Sequence, residues 1–282
     1  MIAGSLRRLT VWLMLLATWE AAFRVIGWKD WVFPAPSHVL DATLSMLNVR
    51  TAFGDPVGPN WPWPKGSGPA RPAGPWYRSA LVEALGVSAA RLAAGFALSI
   101  AIGTVLGLLM WRLKEIDDFL GPLFLGLQTL PSVCWVPLAV LTLGLNERGI
   151  LFVIVMGSFA AIAIGLRDGL KTIPPLYQRA GLMMGARGWK LYRYVLLPAS
   201  LPAMTSSLRQ GFAFAWRSLL GAELILAVQN HGIGFLLEMG RNFNEVDTVV
   251  AVMIVMVMVG MAVDRWFFAK LQKRVHARFG LA

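Results

Sequence analysis

One cysteine in 282 residues, Cys134, excludes an intrachain disulfide. It lies in an apolar run, where a thiol is expected to be buried and inert. The three histidines, His38, His231 and His276, are scattered. No HExxH pair, CxxC pair or Walker-type phosphate loop occurs, so zinc, dithiol and ATP-hydrolysing chemistry have no residues to work with, and no cofactor is expected. Charge is scarce as well, at 15% against 57% hydrophobic residues. That composition is far too apolar for one soluble core, and the apolar residues come in spans, the pattern of an all-α integral membrane protein. The few intramembrane charges are too sparse for a catalytic cluster. The imbalance of 26 cations over 15 anions does not point to nucleic acid, because the cations cluster beside apolar spans. It fits orientation in a membrane and attraction to anionic lipid.

Arg7-Arg8 closes a short cytoplasmic N-terminus (1–8), and an apolar run follows over 9–28. At about 20 residues it is long enough to cross, and apolar character resumes after Glu20, so it reads as a retained first span and not as a signal peptide. Glu20 and Arg24, four apart with the acid first, form an intrahelical pair that lessens the cost of both charges in lipid. The segment 29–78 is extracytoplasmic. Residues 33–47 continue from a proline turn into an amphipathic pattern along the outer surface. Over 54–76, seven prolines and five glycines alternate with Trp61, Trp63 and Trp76. This stretch cannot bury a core and is either a tolerated insertion or a contact for a substrate receptor.

Further on, 83–111 is a second span, in which Arg91, Gly95, Ser99, Gly103 and Gly107 recur every fourth residue. A small-residue face of this kind lets helices approach closely in lipid. A third span, 119–145, is interrupted by Pro131 and Pro137. The freed carbonyls need neighbours or water, so the kink either lines a path, with Gln128, Ser132 and Trp135 as candidates, or simply packs. A fourth span covers 149–166, a fifth 202–228 and a sixth 247–268. The fifth carries Arg209, Arg217 and Glu223. Arg209 lies roughly 10 Å from the Pro202 end and can snorkel, whereas Arg217 is roughly 22 Å in. Arg217 is therefore the candidate attractor of an anion. Glu223 is nearly opposite on the helix and a poor partner for it. Alternatively, Arg217 or Glu223 pairs with another helix, Arg91 being one such partner, as structural glue.

Between the fourth and fifth spans, 167–201 is basic. Arg167, Lys171, Arg179, Arg187, Lys190 and Arg193 face one acid, Asp168, which places the segment in the cytoplasm. Ile173-Pro174-Pro175 sets an extended start, Leu176–Met184 reads as a short helix and Gly185-Ala186 as a tight turn. From Arg187 a second short helix is expected, with Trp189, Tyr192, Val195 and Leu196 on one face. The result is a protruding elbow, either docked on another protein or lying on the headgroups.

In Ala180, Gly185, Ala186, Val195, Leu197 and Pro198 the elbow resembles the cytoplasmic-loop signature of ABC-importer permeases, with nine residues separating Gly185 from Val195. Arg179 stands where that family has Glu, and Gly181 where it has a second Ala. Ser88, Arg91, Gly95, Phe96 and Gly103 resemble the second helix of the branch that transports sulfonates, taurine and nitrate. FPAPSHVL (33–40), the proline-kinked string from Leu127 to Leu145 and Gly232-Ile233-Gly234 are similar to further parts of it.

The resemblance implies a type I ABC-importer-like transmembrane domain with six spanning helices and a cytoplasmic coupling helix. It also implies a homodimer in a bacterial inner membrane, both termini cytoplasmic, an ATP-binding subunit that docks on the elbow and hydrolyses the ATP, and an extracytoplasmic substrate-binding protein. The alternative is a secondary anion transporter, which would ordinarily show a repeated half with paired broken helices; none is seen.

Overall fold

Among the described residues every regular element is a helix or helical turn. The computed structural model describes residues 2–27, 32–47, 79–226 and 231–278, so the insertion 54–76 lies outside them. Two compact units emerge, one from Met1–Ser88 with Asn230–Val257 and the other from Ala89–Gln229 with Met258–Ala282.

In the first unit α1 (Ile2–Ile26) precedes α2 (Pro36–Met46). Pro36 opens α2 after Ala35 in extended conformation, the position at which a missing N–H costs a helix nothing. Val39, Ala42 and Met46 are the buried face of α2, as the amphipathic pattern requires. The expected pair forms, with Arg24 Nη2 2.8 Å from Glu20 Oε1, and the Glu20 carboxylate also accepts from Ser37.

The second unit takes most of α3 (Ala80–Arg112), then α4 (Lys114–Thr129), a 3-10 turn at Ser132–Cys134, α5 (Trp135–Leu143) and α6 (Glu147–Lys171). Asn146 caps α6, its side-chain oxygen accepting from the N–H groups of Arg148 and Gly149. Between α4 and the segment 132–143 the chain bends by 99°. Pro131 causes the break by holding Leu130 in extended backbone (φ −70°, ψ 127°), whereas Pro137 sits in the first turn of α5, where it is tolerated. Cys134 is exposed at this break, which corrects the expectation of a buried thiol. Pro131 ends the apolar helix three residues too early to enclose it.

Helix α6 is the centre of this unit, buried along most of its length between α3 and α9 (Leu197–Ile225). The small-residue face of α3 meets α6 directly. A methyl group at Gly95 would come within 2.7 Å of Ile154, at Gly103 within 2.8 Å of the Phe159 carbonyl and at Gly107 within 2.7 Å of the Ala163 carbonyl. On its other side α6 supplies the glycines. Gly157 faces Ser218, Gly165 faces Ser207 and Gly169 faces Ala203. Ser158 Oγ donates to Ser99 Oγ at 2.8 Å, binding the first pair.

Three described helical segments, Ala80–Arg112, Glu147–Lys171 and Val246–Val275, are long and apolar enough to cross a membrane, and the bent pair α4 and α5 counts as a fourth if it forms one span. Helix α9 has the length, but Arg209, Arg217 and Glu223 set it apart. Arg209 is neutralised within the unit, its Nη2 lying 2.6 Å from Asp264 Oδ2 in the π turn Asp264–Phe268, between the helices Val246–Val263 and Ala269–Arg278.

Replacing Gly107 by Ala, which drives a methyl into the Ala163 carbonyl, is expected to destabilise the protein by about 1–3 kcal/mol, as overpacking does. Gly126→Ala, with open space at its Cβ position, is the control and should leave the melting temperature in detergent unchanged or slightly raised.

Candidate functional site

Two constructions carry chemistry: the elbow that leaves α6, and a buried charge network. The elbow begins with α7 (Pro175–Met183), its first residue again proline. The helix ends in a Schellman closure. Gly185, at φ 81°, donates its N–H to the Leu182 carbonyl, and the Ala186 N–H reaches back to the Gly181 carbonyl at 2.9 Å. Left-handed backbone at that position is what makes glycine necessary there. Ala186 then folds inward onto a core that contains Leu166, Leu170, Leu191 and Leu196. Gly181 has a physical reason too, for a methyl there would stand 2.8 Å from Leu191 and 2.9 Å from Val195.

The second short helix differs from expectation. After α8 (Trp189–Leu191) a π turn over Tyr192–Leu196 runs straight into α9, with the Leu197 N–H bonded to the Tyr192 carbonyl. Pro198 lies in the first turn of α9, and the long helix starts at Leu197 instead of at Pro202. The elbow is therefore a rigid extension of α9. Of the signature residues Val195 packs beside Gly181, while Ala180 is exposed. Burial pushes the Tyr192 phenol up from its ordinary pKa. On the outward side of the elbow large apolar groups stand free: Met183 is 89% exposed and Met184 86%, accompanied by Leu176 and Tyr177. At the other root of the elbow Asp117 accepts from Arg167 Nη1 at 2.9 Å and from Lys171, which ties the start of α4 to the end of α6.

The buried network joins three helices. Arg91, 6% exposed, donates through Nε and Nη2 to Glu147 at 2.7 and 2.6 Å, and through Nη1 to Glu223 at 2.8 Å. Glu223 is 1% exposed. Bidentate geometry on one carboxylate and a third bond to the other suit the planar guanidinium. Thus Glu223, which the sequence left between path and glue, has Arg91 as its partner. Arg217 has a different setting. It is exposed, its Nε is 3.2 Å from the Ala213 carbonyl and its guanidinium lies 4.7 Å from the Phe214 ring centre. Among the described residues it has no carboxylate partner.

Of the residues named for the kink, Ser132 rests against Gly157, and the adjacent Val133 meets Gly221, one turn beyond Arg217. The proline break and the Arg217 turn are thus near neighbours. Gln128 carries a buried Nε2 without a hydrogen-bond partner among the described residues. Trp135 instead packs edge-on to Phe152 against the core of α5, α6 and α9.

Residues 99–277, which hold the elbow and most of these helices, match the family described as binding-protein-dependent transport system inner membrane component. The chain belongs to that family. It is a permease subunit of the ABC-importer type, a transport component. An ABC transporter permease protein of Methanocaldococcus jannaschii is 32% identical over 185 residues, 66% of this chain and 69% of the relative. The nitrate import permease protein NrtB of Synechocystis is 29% identical, covering 67% of both chains. The bicarbonate transport system permease protein CmpB of Synechococcus elongatus is 30% identical over 66% of each. The fold is similar to a chain of the MetNI methionine ABC transporter, with a TM-score of 0.58 at 16% identity, covering 69% of this chain and 95% of that one. An amino acid ABC transporter crystallised with histidines gives 0.51 at 16% identity, covering 70% and 93%.

Removing Arg91 strands a buried carboxylate, so Arg91→Met is expected to cost about 3–5 kcal/mol and lower the yield of folded protein on size-exclusion chromatography. Combining it with Glu223→Leu should recover much of that loss, because the remaining Glu147 is partly exposed.

Proposed function

We propose that the chain, as a homodimer in the cytoplasmic membrane with both termini inside, forms the pathway of an ATP-driven importer for a small anion of the nitrate, sulfonate or taurine kind. An extracytoplasmic binding protein delivers the anion, and a separate ATP-binding subunit docks on the elbow. The observation that carries this reading is the exposed apolar tip of the elbow, Leu176, Tyr177, Met183 and Met184, fixed above a packed base. A surface this apolar at the end of a rigid, positively charged segment suits a protein socket better than water. Nucleotide-driven movement of the socket would act on α9 without an intervening hinge, because α8, the π turn and α9 are continuous. Helix α9 in turn carries Arg217, whose unneutralised charge favours an anion, and the relatives named for nitrate and bicarbonate transport support that choice. Gln128, Ser132 and Trp135 are the accompanying candidates at the break, with Ser132 beside Gly157 of α6. In this reading Glu223 holds Arg91 and shapes the pathway wall without meeting substrate.

The elbow is tested by a cysteine at Met183, an outward position, in a Cys134→Ser background, since the native thiol is exposed. Purified with its neighbours at native expression, the protein should crosslink to the ATP-binding subunit in a nucleotide-dependent way. Absence of any ATP-binding partner under conditions that preserve the complex would sink the importer reading and favour an anion carrier that needs none. For the pathway, Arg217→Gln should reduce anion uptake in reconstituted vesicles at least tenfold while the complex still assembles. Undiminished uptake would remove Arg217 from the path.

A further inference from the structure

Beside the inner root of the elbow lies a cleft of about 610 Å³ between the end of α3 and the segment α8 to Leu196. Its inner walls are Val105, Leu109 and Leu196, and Trp189 and Tyr192 flank it. Arg112 stands at its rim, exposed and without an ion-pair partner among the described residues. Arg112 is also the last residue of the apolar segment Ala80–Arg112, and a cation at the end of such a segment is held at headgroup level by its charge. Val105, seven residues earlier, lies roughly 10 Å deeper along the helix. The cleft therefore runs from a cation at headgroup level into the depth of one leaflet, lined by apolar groups, with aromatic rings at the boundary.

We propose that this cleft binds one anionic phospholipid, its phosphate on Arg112 and an acyl chain along Val105, Leu109 and Leu196. A soluble ATP-binding subunit is an unsuitable occupant because the deep wall lies at hydrocarbon level, and α7 contributes only Gln178 to the lining and none of the apolar residues at its tip. Charge complementarity selects the lipid. Arg112 is joined by Arg187 and Lys190 on the neighbouring segment, with no acid between Arg187 and Arg193, while the acids beyond Lys114 include Asp117, which is engaged by Arg167 and Lys171, and each cation near the cytoplasmic leaflet favours anionic headgroups. A lipid there touches Tyr192 and Leu196, the π turn itself, and so bears on the joint between elbow and α9. The proposal rests on the membrane crossing of α3 and not on the ATP-driven reading.

The test uses the full chain in phosphatidylcholine vesicles containing a minor fraction of phospholipid with brominated acyl chains, either phosphatidylglycerol or phosphatidylcholine. Of the 12 tryptophans, the Trp189 contribution is isolated as the difference between the wild type and Trp189→Phe. Brominated phosphatidylglycerol should quench that component at about fivefold lower mole fraction than brominated phosphatidylcholine, the factor one basic residue supplies. Arg112→Gln should abolish the preference and Arg112→Lys retain most of it. Equal quenching by the two lipids in the wild type would reduce the cleft to ordinary lipid boundary. Absence of Trp189 quenching by either would mean that protein fills it. Both results overturn the proposal, and neither depends on nucleotide, so they leave the importer reading to its own experiment.

Discussion

Helices in lipid gain nothing from hiding apolar surface, since the solvent is as apolar as they are, and the packing of α6 between α3 and α9 must come from close approach. Gly95, Gly103 and Gly107 on one flank and Gly157, Gly165 and Gly169 on the other make that approach possible. Everything with functional meaning is mounted on this three-helix sandwich. The Arg91 network clamps one end and the Asp117 cluster the other. Between Glu147 and Arg167 α6 rises roughly 30 Å, the thickness of the hydrocarbon core. A hydrocarbon layer centred on this stretch would have the polar locks at its two edges, where they are least costly, leaving small residues and dispersion to hold the middle.

Much of this was legible in the sequence because its signals are local. The four-residue repeat on α3 needs no tertiary information, and the Glu20–Arg24 pair and the proline-started helices α2 and α7 follow from neighbours in the chain. The elbow turn is of the same kind. Gly185 is required by a left-handed backbone, and Ala186 is small because it turns back under α7. Even Gly181, a departure from the family pattern, belongs to the packing logic, since Leu191 and Val195 occupy the space an alanine methyl would take.

What stayed hidden depends on distance along the chain or on backbone register. Arg91 and Glu223 are 132 residues apart, and nothing in a linear pattern says which of several intramembrane charges meet. The sequence left Glu223 with two roles for that reason. Pro131 was visible as a kink, but a proline fixes only its own φ and the conformation before it; the 99° turn also needed Val133 to find Gly221 and Ser132 to find Gly157. The exposure of Cys134 follows from that geometry. The apolar run that suggested burial is interrupted in space at the point where the thiol emerges.

The π turn at Tyr192–Leu196 has a consequence for rotational phase. Such a turn accommodates one residue more than an α-helical turn, and each residue of an α-helix advances the side chains by about 100°. The direction in which α9 presents every later side chain is therefore indexed to the elbow by five residues. With that index Glu223 points at Arg91 and Arg217 points away from the sandwich. Were the turn to relax to α-helical hydrogen bonding, α9 would need to rotate by about a quarter turn relative to α8. The phase of the helix that bears the exposed arginine is thus set at the root of the elbow, by the hydrogen-bond register of five residues.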